Sequence, residues 1–435
     1  MKRNWHSNSL IFALAALIAM LMLTGAANAA DHGYRTIYRF KGGNDGWEPS
    51  GIPAVGKNGN LFGVTARGGT NSNGTIFRLS APQTRGGVWR KTILHNFTGG
   101  SRGYPHSIVF GQDGALYGFA WGNDSPTCGF VWKLTPSAFG DGVWAYAVLY
   151  TLNGTSDGCV PEGNPVFDAQ GNLYGSTELG GDLGCLNGQS CGTVFEVQRP
   201  KTERGKWHFN VLYTFTGDPD GAQPRAGVTF DQKGDLYGTT DAGGGYDWGA
   251  IYRMSPPKRK GQGWREGILY SFDQSNYDII RPEGTVAFDS SGNLYGTTLL
   301  GGDPNCSGGY GCGVAYKLSR PLQNGVWTYS TLYAFKGGDD GAYPQSALIF
   351  DGNENLYGVT TSGYVVSGAV FRLSPPGTGG GPWRETTLHG FTGKNGDGGY
   401  PATGLTWGKW GDLYGVTLEG GLCLGCGTVF EVRPE

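Results

Sequence analysis

Seven short stretches of this chain read almost alike: N-L-F-G-V-T (60–65), A-L-Y-G-F-A (115–120), N-L-Y-G-S-T (172–177), D-L-Y-G-T-T (235–240), N-L-Y-G-T-T (293–298), N-L-Y-G-V-T (355–360) and D-L-Y-G-V-T (412–417). The glycine inside them recurs at 63, 118, 175, 238, 296, 358 and 415, a period that marks repeated supersecondary units stacked on one another. Each unit divides into four short segments rich in aromatic and β-branched residues. The first resembles V-T-F-D (228–231) and is followed by a D-x-x-G-N turn. L-Y-G-T-T is the second, and a glycine-rich loop leads to the third, such as G-T-V-F-E-V (192–197). The fourth resembles W-H-F-N-V-L-Y-T-F (207–215). Four antiparallel strands repeated seven times predict an all-β fold, a seven-bladed β-propeller of four-stranded antiparallel blades.

The ends of the chain bear on how such a ring closes. The seventh unit stops after its third strand, at G-T-V-F-E-V-R-P-E (427–435), and an unpaired fourth strand, Y-R-T-I-Y-R-F (34–40), precedes the first unit. The expectation is a ring closed by the N-terminal strand completing the last blade, which would remove two exposed edges. The glycine of L-Y-G, costly inside a strand, is expected to mark a close backbone approach near the axis, or a bulge.

Residues 1–29 read as a secretory signal peptide: M-K-R at the start, an apolar run through the teens, and A-N-A at 27–29. An uncleaved anchor is the alternative. Residues 30–435 are then one propeller domain, secreted or periplasmic, with no membrane span after signal cleavage and expected to be a monomer. The formal charge is −2, or −4 without Lys2 and Arg3, which gives no electrostatic reason to expect nucleic acid as a partner. With 81 glycines but no Gly-X-Y period the chain is not collagen, and with 23 tyrosines, 21 phenylalanines and 13 tryptophans it is not a disordered one.

Export makes disulfides the default reading of the eight cysteines. Cys185–Cys191, Cys306–Cys312 and Cys423–Cys426 form local pairs, leaving Cys128–Cys159 as a bond between adjacent blades. C-L-G-C (423–426) could instead be redox-active or hold a metal, but no helix start or second pair accompanies it.

The repeats D-x-x-G-N-L-Y-G-T-T, then G-G, then G-T-V-F-x-L-S-P resemble the Gloeobacter/Verrucomicrobia tandem repeat of exported "choice-of-anchor" bacterial proteins. The resemblance covers essentially the whole mature chain. It implies no particular activity. Many such proteins carry a C-terminal sorting segment, and a chain ending on its last blade strand is expected to be freely secreted.

Strand order puts the second-to-third loops and the interblade links on one face, together with the cysteines, and binding is expected there. Four residues before each link proline stands Asp45, Asp157, Asp220, Asp278, Asp340 or Asp397, with Ser101 in repeat two. These are expected either to cap turns or to converge on calcium or a sugar as a metal or ligand ring. Thr65, Thr177, Thr240, Thr298, Thr360 and Thr417, two residues after the motif glycines, either end strands or join that ring. Repeat two departs at both positions, so an asymmetric ligand is expected near Arg102, His106, Trp121 and Asp124. Trp47 and Tyr343 are further ligand-binding candidates among the loop aromatics.

No H-E-x-x-H motif is present, and acids such as Glu48, Glu162, Glu283 and Glu419 are not marked as a pair. No catalytic residue and no cofactor other than calcium is therefore named from the sequence. The reading is a non-catalytic extracellular binding module for glycan or protein. The alternatives are a propeller glycoside hydrolase or polysaccharide lyase with an axial active site, and a structural cell-envelope protein.

Overall fold

The computed structural model describes residues 33–434 except 99–102, 123–127, 138, 140–141, 189, 203–204, 260, 274–280, 323–324, 364–366, 379 and 424. The expected signal peptide lies outside the described residues. Seven antiparallel blades follow in chain order. Blade 3 is typical: Cys159–Phe167, Leu173–Leu179, Thr193–Gln198 and His208–Thr214 pair in sequence order. In blade 2 the first strand is split into Gly103–Pro105 and Val109–Phe110. No described helix is long and apolar enough to cross a membrane.

The repeated motif supplies the joints between blades. Its aromatic residue meets an aromatic on the first strand of the next blade, edge to face. Phe62–Phe110, Tyr117–Phe167, Tyr174–Phe230, Tyr237–Phe288, Tyr295–Phe350 and Tyr357–Trp407 all have centroids 5.0–5.3 Å apart. Such a pair contributes about 0.5–1.5 kcal/mol beyond its buried area. The phenol tips reach back to the preceding turn, as in Tyr117 to Asp113 (2.9 Å) and Tyr357 to Asp351 (3.0 Å).

The motif glycine mostly makes room for a side chain; at Gly118 it also marks a close backbone approach, where a methyl group would run into the Ser107 carbonyl oxygen. It lies opposite a large aromatic on the third strand: Gly63 faces Phe77, Gly118 Trp132, Gly175 Phe195, Gly238 Tyr252, Gly296 Tyr316, Gly358 Phe371 and Gly415 Phe430. The ring folds back over the glycine, so that a methyl group at Gly63 would stand 2.5 Å from Phe77 Cζ. Losing one side chain lets a larger one lie flat between blades.

The closure expected from the sequence needs correction: among the described residues no sheet is closed by hydrogen bonds. Arg35–Arg39 runs beside Thr428–Val432, with Arg35 opposite Glu431, as the outer edge of an open four-stranded sheet. The physical reason is directional. Ladders run from hub to rim within a blade, whereas neighbouring blades meet face to face at side-chain distance. The circle is instead completed by packing, through seven apolar clusters, each shared by two neighbouring blades. Between the last blade and the first lie Phe40, Leu61, Phe77, Tyr414 and Val429. Ion pairs from Arg85 to Asp412 and from Arg35 to Glu431 (3.0 Å) flank this seam.

Candidate functional site at the hub

Each blade enters the ring through a link ending in proline, and that link decides what faces the axis. The residue before the proline bridges two blades. Gln223 donates its N–H to the Cys191 carbonyl of blade 3 (2.8 Å), and its own carbonyl accepts from Asp241 N of blade 4 (3.0 Å). Tyr343 does the same with Cys312 (2.9 Å) and Thr361 (3.2 Å), and Val160 donates to Cys128 (2.9 Å). To point its two groups this way the residue adopts the left-handed region: Glu48 (φ 53°), Val160 (58°), Gln223 (56°), Arg281 (70°), Tyr343 (62°) and Tyr400 (57°). For a β-branched residue such as Val160 this is strain that persists only because both bonds require it. The proline ring then rests on the glycine that opens the previous blade's third strand. A methyl group on Gly129 would stand 2.6 Å from Pro161 Cδ, and one on Gly313 2.5 Å from Pro344 Cδ. Anchored on both sides, the chain turns the next side chain towards the hub. Those seven residues are Ser50, His106, Glu162, Arg225, Glu283, Gln345 and Ala402. All seven border one cleft of about 840 Å³.

The four disulfides are Cys128–Cys159, Cys185–Cys191, Cys306–Cys312 and Cys423–Cys426, and no described cysteine is free. Cys128, Cys191 and Cys312 are the residues whose carbonyls receive the next blade. The staples therefore hold the joint, and through it the hub.

The cleft has two unlike halves. Blades 3 to 6 supply charge. Arg225 contacts Glu178 (2.9 Å), Asp241 (3.5 Å) and Glu283 (3.5 Å), and Arg281 contacts Asp241 (3.4 Å). Gln345 donates to Glu283 at 2.6 Å. Burial tends to lower the Arg225 pKa, but Asp241, Glu178 and Glu283 outweigh it, so the guanidinium is held charged. Burial raises the Glu283 carboxyl, helped by Asp241 and opposed by Arg225. Glu162 is raised furthest: burial and then the neighbouring Glu178 push it well above the usual carboxylate range, against the weaker pull of Arg225. Blades 7, 1 and 2 supply the other half, with Tyr400, Leu418, Ile52 and Ala66. Here Trp121 stacks on His106 at 4.7 Å and 29°, and its indole N–H donates to the Pro161 carbonyl at 3.1 Å. Burial takes the His106 pKa down to about 3, so the imidazole is neutral at ordinary pH.

Of the residues singled out from sequence, His106 and Trp121 come together at this cleft. Arg102, Asp124 and Asp278 lie outside the described residues. Trp47 packs under Arg67 (5.4 Å), and the Tyr343 hydroxyl pairs with Ser307 (2.7 Å). The other repeated aspartates, Asp45, Asp157, Asp220, Asp340 and Asp397, stand at the link turns, each bonded to a fourth-strand tyrosine or its equivalent. Tyr38 donates to Asp45 (2.7 Å), Tyr150 to Asp157 (2.8 Å), Tyr213 to Asp220 (2.6 Å) and Tyr333 to Asp340 (2.8 Å). At Asp397 the fourth-strand residue is His389, and Tyr34 from the N-terminal segment supplies the phenol at 2.7 Å. Among the described residues no group of three or more His, Cys, Asp or Glu is placed to hold a metal ion. The threonines accept from the first amide of the third strand, as in Thr75 N to Thr65 (3.1 Å) and Thr428 N to Thr417 (3.2 Å).

The sequence offered Glu48, Glu162, Glu283 and Glu419 as scattered acids with nothing to mark a pair, and all four border the cleft; Arg225 and Gln345 were not singled out. The signal was present: aligning the repeats on the link proline puts them in one column, where their charge varies while the surrounding motif does not.

Comparison with solved structures gives the same architecture. A streptogramin B lyase superposes with a TM-score of 0.52 at 12% identity, covering 92% of this chain and 96% of that one. The virginiamycin B lyase from Staphylococcus aureus gives 0.54 at 13%, covering 92% and 99%. At these identities the likeness shows the fold alone. No curated protein sequence matches. The Gloeobacter/Verrucomicrobia repeat matches residues 26–185 and 83–308, more than half of the chain, and the chain belongs to that family.

Proposed function

We propose that this member of the Gloeobacter/Verrucomicrobia repeat family is a secreted propeller hydrolase that cleaves glycosidic bonds at the hub, with Glu162 as general acid and Glu178 as the second carboxylate. One observation carries the reading. Two glutamates on adjacent strands of blade 3 have opposite surroundings: Glu162 is pushed towards its protonated form, while Glu178 is ion-paired with Arg225 at 2.9 Å. Carboxyls set apart in this way are what glycoside hydrolysis needs, one to protonate the leaving oxygen and one to act as anion. Glu162 lies opposite Ser176 in the ladder, so Glu178 is its diagonal neighbour on the same face.

The polarity of the cleft favours hydrolysis over uronate elimination. Among the described residues that border it, Glu48, Glu162, Glu178, Glu283 and Glu419 face the single cation Arg225, which is already engaged. A polyuronate would meet like charge from these residues. The fold itself hosts lyase chemistry in the two solved relatives, which supports the scaffold as a place for catalysis.

The test is reducing-end release from neutral β-glucan, xylan, mannan and chitin by the purified protein and by Glu162→Gln. The variant is expected to lose about 10²–10⁴-fold in rate. In the wild type the rate should fall on the alkaline side, as Glu162 loses its proton. A folded ring that binds one of these glycans but releases no ends would return the protein to the class of binding modules.

A further inference from the structure

The charged half of the hub is accounted for by the proposed reaction, but the opposite half is not. Trp121 is fixed in place by its indole bond to Pro161 and by the His106 ring behind it, yet 37% of it remains exposed beside the cleft. It occupies the position after the strand-ending threonine, where the other blades carry Ala66, Glu178, Asp241, Leu299, Thr361 and Leu418. Only blade 2 puts an aromatic there. Neither His106 nor Thr403, on this side, carries charge at neutral pH.

We propose that Trp121, backed by His106, is a stacking platform for the apolar face of an uncharged pyranose, in the subsite adjoining the bond that Glu162 protonates. This rests on the hydrolase reading and adds the class of sugar. A pyranose has a face of C–H groups that suits a fixed, half-exposed indole. A carboxylate on that sugar would face the glutamates across the cleft.

The experiment separates the two claims. Binding of cellohexaose, xylohexaose, mannohexaose, chitohexaose and hexagalacturonate is measured calorimetrically on Glu162→Gln, which does not consume them, and then on the same variant carrying Trp121→Ala or Trp121→Phe. At least one neutral hexasaccharide should bind, and hexagalacturonate should not. Trp121→Ala should weaken binding by about tenfold or more, and Trp121→Phe by much less, since stacking on an aromatic face is worth on the order of a tenfold change or greater. In the otherwise native protein Trp121→Ala should lower kcat/KM by about tenfold or more, mainly through a raised KM. The platform is overturned if Trp121→Ala binds as tightly as its parent, if hexagalacturonate binds best, or if no neutral hexasaccharide binds. Loss of binding on Trp121→Ala, with no turnover by the native protein, would keep the platform and discard the hydrolase.

Discussion

Cys128–Cys159 and Cys185–Cys191 offer a controlled comparison within one chain. They span 31 and 6 residues respectively. If each acts mainly by restricting the unfolded chain, its contribution follows the logarithm of the loop it closes, about 3.7 kcal/mol for the long loop and about 2.2 kcal/mol for the short one at 25 °C. The perturbation is replacement of both partners by alanine, one pair at a time; alanine avoids placing a serine hydroxyl where Cys191 is fully buried. Denaturant midpoints at constant protein concentration would read the difference, with the long-loop variant the weaker by about 1.5 kcal/mol. Equal losses, or a greater loss from the short loop, would refute the entropic ranking. That result would show that the staples act on the native joint as well as on the unfolded state, since the Cys128 and Cys191 carbonyls both receive the next blade.

Further predictions follow from other parts of the ring. Gly296→Ala puts a methyl group against the Tyr316 phenol and should destabilise by about 1–3 kcal/mol, read as a lowered thermal midpoint. Burial raises the Glu385 carboxyl to about 7, above its unfolded value of 4.5, so the folded state binds the extra proton and loses stability as pH rises from about 4.5 to 7. Glu385→Gln should therefore gain stability relative to wild type at pH 8 but not at pH 4, and parallel pH curves would contradict this. Tyr34→Phe removes the phenol that donates to Asp397 and should cost about 1–3 kcal/mol, a loss checked by chemical denaturation. Asp397 is held at about 2 against the raising effect of burial by its bonds to His389 and Tyr34, so that cost should shrink towards pH 2 as the carboxylate protonates.

The blades were legible in the sequence because their determinants are local and repeated: a turn, a motif, a loop and an outer strand, seven times over. The disulfide partners were legible for the same reason, since three pairs lie within single loops. Closure was not, because it depends on faces rather than ladders. An unpaired strand at each end suggested a hydrogen-bonded seal, whereas Phe40 and Tyr414 meet Leu61 and Phe77 as side chains. The hub was the least legible part. Glu162, Arg225 and Glu283 lie about 60 residues apart, and nothing local distinguishes them from surface charges. Only the left-handed residue and proline before each reveal that they point inward. Trp121 and His106 stood out for a different reason: repeat two breaks the pattern, and a broken pattern shows in a single sequence.

The joint between blades is made by main-chain groups and a proline ring, and the side chain that follows adds to it only lateral contacts such as Arg225 to Glu178 and Gln345 to Glu283. The chain thus keeps seven positions exempt from its own architectural rules, all opening on one space. Substitutions at the uncharged positions, Ser50 and Ala402 among them, leave no charge unpaired, and each alters a different sector of the same surface. A lineage of such proteins can change what it acts on while its repeats stay the same. Relatives are then best sorted by the seven residues that follow their link prolines, since overall resemblance measures mainly the shared frame.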